Sequence, residues 1–208
     1  LFINNKIKHV FLKGAAMLIF KPYNSIDERM VGDIDILIDK NDIDRAKDVL
    51  LQNNFYAKKT HEVKFIDVVK ANFLRHLQRL IHSDFIAAVE LHTEILDFKY
   101  ANILPAKLIL KDIVNHKGYS IPNRDILWKH AILNWQYNDK GLIYNDISFR
   151  TFLDVIYLEP EEIDYNKIDE NAISRFYSLC SIFTNKYQNI NNFYSAIFKY
   201  KLIYPKFE

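Results

Sequence analysis

The order of hydrophobic and polar positions in the first part of the chain predicts strands and helices in alternation. His9–Leu12 is an apolar run that predicts a short buried strand, and Ala15–Phe20 predicts a short apolar helix after a turn. A second strand is predicted around Asp33 and Asp35, which alternate with isoleucines. Because side chains in a strand alternate between its two sides, these isoleucines are expected to face a core and the aspartates the opposite side.

A second helix is predicted over Asn41–Asn53, with Asn41 as the expected N-cap and acidic residues in the first turn. Its inward-facing stripe is expected to comprise Ile43, Ala46, Val49 and Leu50. A third, short strand is predicted at Phe55–Lys59, whereas residues 61–72 fit a helix and a strand equally well. This alternation predicts an α/β domain.

A hairpin is predicted from residues 74–82 and 85–95, joined by Ser83 and Asp84. With a two-residue loop, His82 faces Phe85 and Leu77 faces Glu90. This register places Arg75, Arg79, Glu90 and His92 on one face of the hairpin. The opposite face carries Phe85, Ala87, Val89 and Leu91, an apolar row that is expected to join the core.

The chain beyond the hairpin divides into a connector and a helical part. Residues 97–124 are predicted as a connector, with a helix candidate at 106–115 and a strand or turn at 117–122. Helices are predicted at residues 125–137, 146–158, 171–187 and 191–204. We therefore expect an α/β domain over residues 1–120 and a helical C-terminal domain over residues 121–208.

Composition narrows the function classes. Half of the residues are hydrophobic and the formal net charge is only +2, so the chain is a folded protein without the basic excess of an indiscriminate nucleic-acid binder. The single cysteine, Cys180, excludes an internal disulfide and a cysteine-based zinc cluster. No segment approaches the ~18–20 apolar residues of a membrane span. A cytoplasmic protein without a signal peptide is therefore expected.

Two carboxylates on one side of a strand are the first candidate for chemistry. Asp33 and Asp35 are two positions apart, and such side chains lie roughly 7 Å from each other along the strand. Carboxylate oxygens suit divalent cations, and a further carboxylate would allow two cations about 3.5–4 Å apart. A solvated strand edge would have the same pattern.

Glu90 is the candidate for that third carboxylate. It lies in an apolar strand, where its charge needs a partner. A metal ion and a salt bridge with Arg79 satisfy that need equally well. His92 is its neighbour on the same face and is a candidate ligand, a hydrogen-bonding partner or an ordinary strand histidine.

The turn at Lys13-Gly14 is a candidate phosphate site. Glycine permits a close approach of the backbone, and the helix that begins here offers free N–H donors to an anion. A glycine that only makes the turn is the alternative.

These segments together resemble a known family. KGAAMLIF from Lys13, RMVGDIDIL from Arg29 and VELH from Val89 are similar to the uncharacterised nucleotidyltransferase family of the DNA polymerase β-like superfamily. SFRTFLD from Ser148 resembles the family's Leu-Arg-x-x-x-Asp helix, with Phe149 at the leucine position. The resemblance covers residues 7–158. Most superfamily members have Gly-Ser at the turn, where this chain has Gly14-Ala15.

The resemblance implies a polymerase β-like mixed sheet with flanking helices, followed by a helical part. It implies that Asp33, Asp35 and Glu90 are catalytic and hold two Mg²⁺ or Mn²⁺ ions. Nucleotide contacts are expected from Lys13, Gly14, Arg29, Gly32, Arg79 and His92. The implied reaction moves a nucleoside monophosphate from an NTP to an acceptor (a small molecule, a protein or an RNA end) and releases pyrophosphate. The alternative is a non-catalytic nucleotide-binding or scaffold protein with the same fold, which the atypical Gly-Ala turn favours.

Overall fold

The computed structural model describes residues 1–23, 25, 29–57, 75–159 and 170–184. The ambiguous segment 61–72 and the predicted helix 191–204 lie outside these residues. The chain forms two compact units, Leu1–Leu127 and Trp128–Glu208.

A five-stranded mixed sheet organises the first unit. Its strands are β1 (His9–Phe11), β2 (Asp33–Ile38), β3 (Tyr56–Ala57), β4 (Leu80–His82) and β5 (Phe85–His92). Their spatial order is β1-β2-β5-β4-β3, in which β2 and β5 are parallel and the other neighbours are antiparallel. The expected mixed α/β fold is confirmed.

Two helices follow the strands where the hydrophobic pattern predicts them. Helix α1 spans Lys13–Phe20, two residues longer than expected, because Lys13 and Gly14 belong to its first turn. Helix α2 spans Ile43–Gln52 and begins after Asp42, so the prediction of Asn41 as the N-cap is wrong. The Asn41 N–H instead bonds to Asp39 Oδ1 at 2.9 Å.

One hydrophobic core cluster of this unit lies between one face of the sheet and helix α2. Residues buried in it include Ile36, Ile38, Ala46, Val49, Leu50, Val89 and Leu91. The period-two pattern of β2 and the helical stripe of α2 therefore meet as expected. Burying side chains of this size contributes about 1.5–3 kcal/mol each. Phe85 was expected in the same row, but it lies at the hairpin tip and is 60% exposed.

The hairpin of β4 and β5 departs from the simple register. His82 pairs with Phe85 as expected, but an irregularity follows, and Leu80 pairs with Val89. Arg79 therefore falls opposite Glu90, where a regular hairpin would place Leu77. Farther from the turn, His76 forms a β-bridge with His92. The register set by the Leu80–Val89 pair would place residue 77 opposite His92, so the strand is shifted by one residue at this point. A shift of one residue exchanges the faces of a strand, so His76 replaces Arg75 on the Glu90 side.

The predicted connector contains a second hairpin that the sequence analysis missed. Helix α3 spans Ala106–Lys111, and strands β6 (Ile113–His116) and β7 (Tyr119–Pro122) pair antiparallel after it. Lys117 and Gly118 have φ values of 54° and 89°, the positive values that a two-residue hairpin turn of type I′ requires.

The second unit is helical in its described residues. Helix α4 (Arg124–Leu133) starts at the end of the first unit and continues as a π-helical turn, Asn134–Asn138. Helices α5 (Gly141–Tyr144), α6 (Phe149–Leu158) and α7 (Glu170–Cys180) follow. In the part of the chain that the structure describes, none of the helices combines the length and apolar character needed to cross a membrane.

Candidate active site

The parallel pairing of β2 with β5 brings the predicted carboxylates together. Asp35 is the register partner of Glu90, and Asp33 lies one step toward the sheet edge, beside Ala88. Asp35 and Glu90 are each only 6% exposed. Asp33 is more open, with a side chain that is 24% exposed. Asp33 thus lies nearer the rim, and Asp35 and Glu90 lie side by side deeper in the protein.

Helix α1 begins directly beside Asp35. The Leu12 N–H donates to the Asp35 carbonyl oxygen at 2.9 Å, and Lys13 Nζ lies 2.6 Å from Asp35 Oδ1. Lys13 has a φ of 44°, a left-handed conformation that costs a side chain of this kind about 1–2 kcal/mol.

Arg79 joins the two other carboxylates. Its Nε donates to Glu90 Oε1 at 2.6 Å, and its Nη2 lies 2.8 Å from Asp33 Oδ2. The arginine side chain is 60% exposed, so the ion pairs close the site from the solvent side. The sequence allowed either Arg79 or a metal ion as the partner of Glu90, and in the structure Arg79 makes that contact.

His92 contacts both Asp35 and Glu90 from the buried side of the site. Its ring is fully buried, and Nε2 lies 2.8 Å from Asp35 Oδ1 and 3.4 Å from Glu90 Oε2. The His76 ring packs on it with centroids 5.1 Å apart. Among the described residues, His92 Nδ1 has no hydrogen-bond partner. Nε2 is therefore the ring nitrogen that acts in the site, whether it donates a proton to the carboxylates or a lone pair to a cation.

These contacts keep both buried carboxylates ionised. Burial alone would raise the pKa of Asp35, but the His92 hydrogen bond and the Lys13 charge outweigh it and hold that pKa well below its ordinary value. For Glu90, the His92 hydrogen bond opposes the effect of burial and, together with the Arg79 hydrogen bond, lowers the pKa to about 2. A carboxylate with so low a pKa binds cations well and is a weak proton acceptor.

The donor atoms fit a divalent cation. One ligand atom each from Asp35, Glu90 and His92 lie within 4.8 Å of one another. Carboxylate oxygens suit Mg²⁺ and Mn²⁺, and an imidazole nitrogen suits transition metals. Asp33 was expected as a ligand and lies outside this set of three. His92 was expected to contact nucleotide and falls within the set.

The backbone side of the site is built around Gly14 and Arg29. A Cβ on Gly14 would lie 3.1 Å from Val31 Cγ2 and 3.3 Å from Arg29 Nη2. Arg29 is only 8% exposed, so its guanidinium is packed against the first turn of α1. The N-cap residue, Leu12, makes no side-chain cap hydrogen bond. The first N–H groups of a helix have no intrahelical partner and can bind an anion.

Not every candidate residue reaches this centre. Among the residues that the structure describes, a Cβ on Gly32 would meet nothing within 4 Å, so they give no steric reason for glycine there. Arg75 pairs with Asp97 at 3.5 Å rather than with Glu90. Instead, His76 Nδ1 lies 4.0 Å from Glu90 Oε2. His76 was not among the predicted site residues, because the regular hairpin register placed it on the opposite face.

The comparison with protein families agrees with this architecture. The mixed sheet with flanking helices is that of a nucleotidyltransferase fold, and residues 1–174 match the model of a family described as uncharacterised nucleotidyltransferase. The chain therefore belongs to this family. A search among curated proteins finds no match.

Proposed function

We propose that this protein is a metal-dependent nucleotidyltransferase that moves a nucleoside monophosphate from an NTP to an acceptor and releases pyrophosphate. The supporting observation is the convergence of Asp33, Asp35 and Glu90 from two parallel strands at the start of helix α1. Carboxylates for cations therefore lie next to N–H donors for phosphate.

The triphosphate is assigned to the first turn of α1. Lys13 supplies a positive charge there, and the close packing of Arg29 on Gly14 places a second one beside the backbone N–H groups. A serine hydroxyl is absent because Ala15 follows Gly14. Charge and backbone donors therefore have to hold the phosphates.

Asp33, Asp35 and Glu90 would hold Mg²⁺ or Mn²⁺, with His92 as a further donor to the inner position. A bound divalent cation would neutralise the triphosphate and lower the pKa of the acceptor oxygen. Glu90 serves as a ligand rather than as a base, because a pKa of about 2 makes it a poor proton acceptor.

In the proposed reaction, an acceptor hydroxyl or phosphate oxygen forms a bond to the α-phosphorus. The bond from that phosphorus to the oxygen that bridges to the β-phosphate breaks, and pyrophosphate leaves with the electron pair. The acceptor proton passes to solvent. The protein contributes position and charge, which are the main requirements of phosphoryl transfer.

The test compares the wild type with Asp33→Ala/Asp35→Ala. Thermal unfolding is measured with each NTP, with and without Mg²⁺ or Mn²⁺, and transfer of label from an α-³²P-labelled NTP to a cell extract is followed in parallel. A ligand at a hundred times its Kd stabilises by about 2.7 kcal/mol. We expect metal-dependent stabilisation by one NTP and labelling of an acceptor, both lost in the variant.

The control variant is Asp44→Ala/Asp48→Ala, which makes the same charge change on the exposed surface of helix α2. It should retain both signals. Absence of any NTP-dependent shift at millimolar concentration in the wild type would contradict the proposal.

A non-catalytic nucleotide-binding protein is the second candidate. It is favoured by the ion pairs in which Lys13 and Arg79 already engage all three carboxylates. In that case NTP stabilises the protein without a metal, and no label is transferred. The same experiment therefore separates the two functions.

A further inference from the structure

Arg79 binds two of the three carboxylates to which the proposed function assigns a divalent cation. Its Nε contacts Glu90 Oε1 at 2.6 Å, and its Nη2 contacts Asp33 Oδ2 at 2.8 Å. A guanidinium donates hydrogen bonds and accepts none, so it stabilises the carboxylates by the same charge attraction that a metal ion uses. The two cations therefore compete for Asp33 and Glu90.

The charge balance of the site makes this competition effective. Three carboxylates carry −3, and Lys13 and Arg79 carry +2, so these five groups sum to −1. Without Arg79 the sum becomes −2. A divalent cation is attracted more strongly to the second arrangement, and it no longer has to replace an existing ion pair.

Arg79 is also the basic residue that can leave most easily. Its side chain is 60% exposed, compared with 28% for Lys13 and none for His92. Lys13 is the first residue of α1 and has a positive φ, and His92 is fully buried. The arginine can rotate into solvent at little cost, because hydration replaces its hydrogen bonds.

We propose that Arg79 is an internal counter-cation that holds Asp33 and Glu90 in place and is displaced when a divalent cation binds. The inference rests on the proposed metal-dependent function and concerns how that site takes up its metal. Arg79 is thus a positioning residue that lowers the apparent metal affinity of the site. A nucleotide phosphate near the rim provides a new partner for the released guanidinium.

The decisive variant is Arg79→Gln, and the probe is Mn²⁺, whose free concentration is measured by electron paramagnetic resonance. We expect Mn²⁺ to bind about fivefold more tightly than in the wild type, a direction opposite to the usual effect of removing a site residue. Arg79→Lys should lie closer to the wild type, because it keeps the charge but loses the fork that spans two carboxylates.

The matched control is Arg75→Gln. It removes the same charge from the same segment, but Arg75 pairs with Asp97. Its Mn²⁺ affinity should equal that of the wild type. Circular dichroism and thermal unfolding establish that each variant is folded, which the exposure of Arg79 makes the expected result.

A second readout is measured on the wild type. In the wild type, the Arg79 Nε–H is hydrogen-bonded to Glu90 and its NMR signal should exchange slowly with solvent. Saturation with Mg²⁺ should accelerate that exchange, because the bond is broken. Arg79→Lys identifies the signal by its loss.

Three results would overturn the proposal. In the first, the wild type binds Mn²⁺ and folded Arg79→Gln binds it equally well or more weakly. This result contradicts the competition between Arg79 and the metal ion and does not contradict the proposed function. An Nε–H signal that stays protected at saturating Mg²⁺ does the same. No Mn²⁺ uptake by any form at millimolar concentration removes both this inference and the metal-dependent function.

Discussion

The two faces of strands β2 and β5 are built on opposite principles. One face presents Ile36, Ile38, Val89 and Leu91 to helix α2, and these side chains are buried among apolar neighbours. The other face presents Asp33, Asp35, Glu90 and His92, which are joined by hydrogen bonds and ion pairs. The first face stabilises the fold, because burial of apolar surface is favourable whatever the exact partner. The second has to recover the cost of burying charge through specific partners.

This difference teaches where function can be placed without losing the fold. Asp35 and Ile36 are adjacent in the chain, yet Ile36 is packed among apolar side chains and Asp35 among charged and polar ones. The apolar face carries the stability, so the charged face is free to be shaped for binding. The following four predictions test this division, beginning with the largest effect.

Asp35→Asn should lower nucleotidyl transfer by about 10³-fold, because the amide cannot neutralise a cation as a carboxylate does. The fold should survive, since the amide oxygen still accepts a bond from Lys13 or His92. Transfer of label from an α-³²P-labelled NTP and urea unfolding are measured on the same preparation. Full activity in the variant would contradict the proposed role of this face.

Leu91→Ala should lower the free energy of unfolding by about 2–5 kcal/mol, because it leaves a cavity in the apolar face. Leu91 is 1% exposed and lies next to Glu90 in the chain. Mn²⁺ affinity of the folded variant should stay close to that of the wild type. Phe85→Ala on the same strand is the control, and its 60% exposure predicts a much smaller loss. Similar losses in both variants would contradict the comparison.

Acid should weaken the charged face selectively. The pKa of Glu90 is lowered from 4.5 to about 2, so the unfolded chain binds the proton more tightly than the folded one. Its contribution to stability is therefore present above pH 4.5 and is lost as the pH falls toward 2. Urea unfolding between pH 3 and pH 6 should show a shallower dependence on pH in Glu90→Gln than in the wild type. Parallel curves would show that Glu90 is not responsible.

The smallest predicted effect concerns the backbone at Lys13. Lys13→Gly and Lys13→Ala both remove the ion pair with Asp35, but only glycine adopts a φ of 44° without strain. The glycine variant should therefore be more stable than the alanine variant by about 1 kcal/mol. Denaturant midpoints at pH 7 measure the difference. An alanine variant of equal or greater stability would show that the left-handed turn is not strained.

Local patterns in the sequence determined several parts of this protein. Alternation in β2 was enough to place Asp33 and Asp35 on one side and the isoleucines on the other. The helical stripe of α2 was predicted for the same reason, since Ala46, Val49 and Leu50 repeat at helical spacing. Such patterns depend on neighbours a few residues apart, and the chain encodes them directly.

Contacts between distant residues were decided by the tertiary structure. The parallel pairing of Asp35 with Glu90 joins positions 55 residues apart, and no local pattern specifies it. The need of Glu90 for a partner in an apolar strand and the resemblance to a family suggested that these carboxylates belong together, whereas no spacing did. The hairpin at β6 and β7 was missed because a Lys-Gly turn is a weaker signal than Asn-Gly or Asp-Gly.

The irregular register between Leu80 and His82 shows most clearly what the sequence left open. A regular hairpin would set Leu77 opposite Glu90, whereas the observed register sets Arg79 there and brings His76 to the same side. Strand patterns state which residues share a side, and they do not state where an extra residue is accommodated. Packing of the whole sheet makes that choice, because it alone sums the apolar burial on one face and the charge pairing on the other.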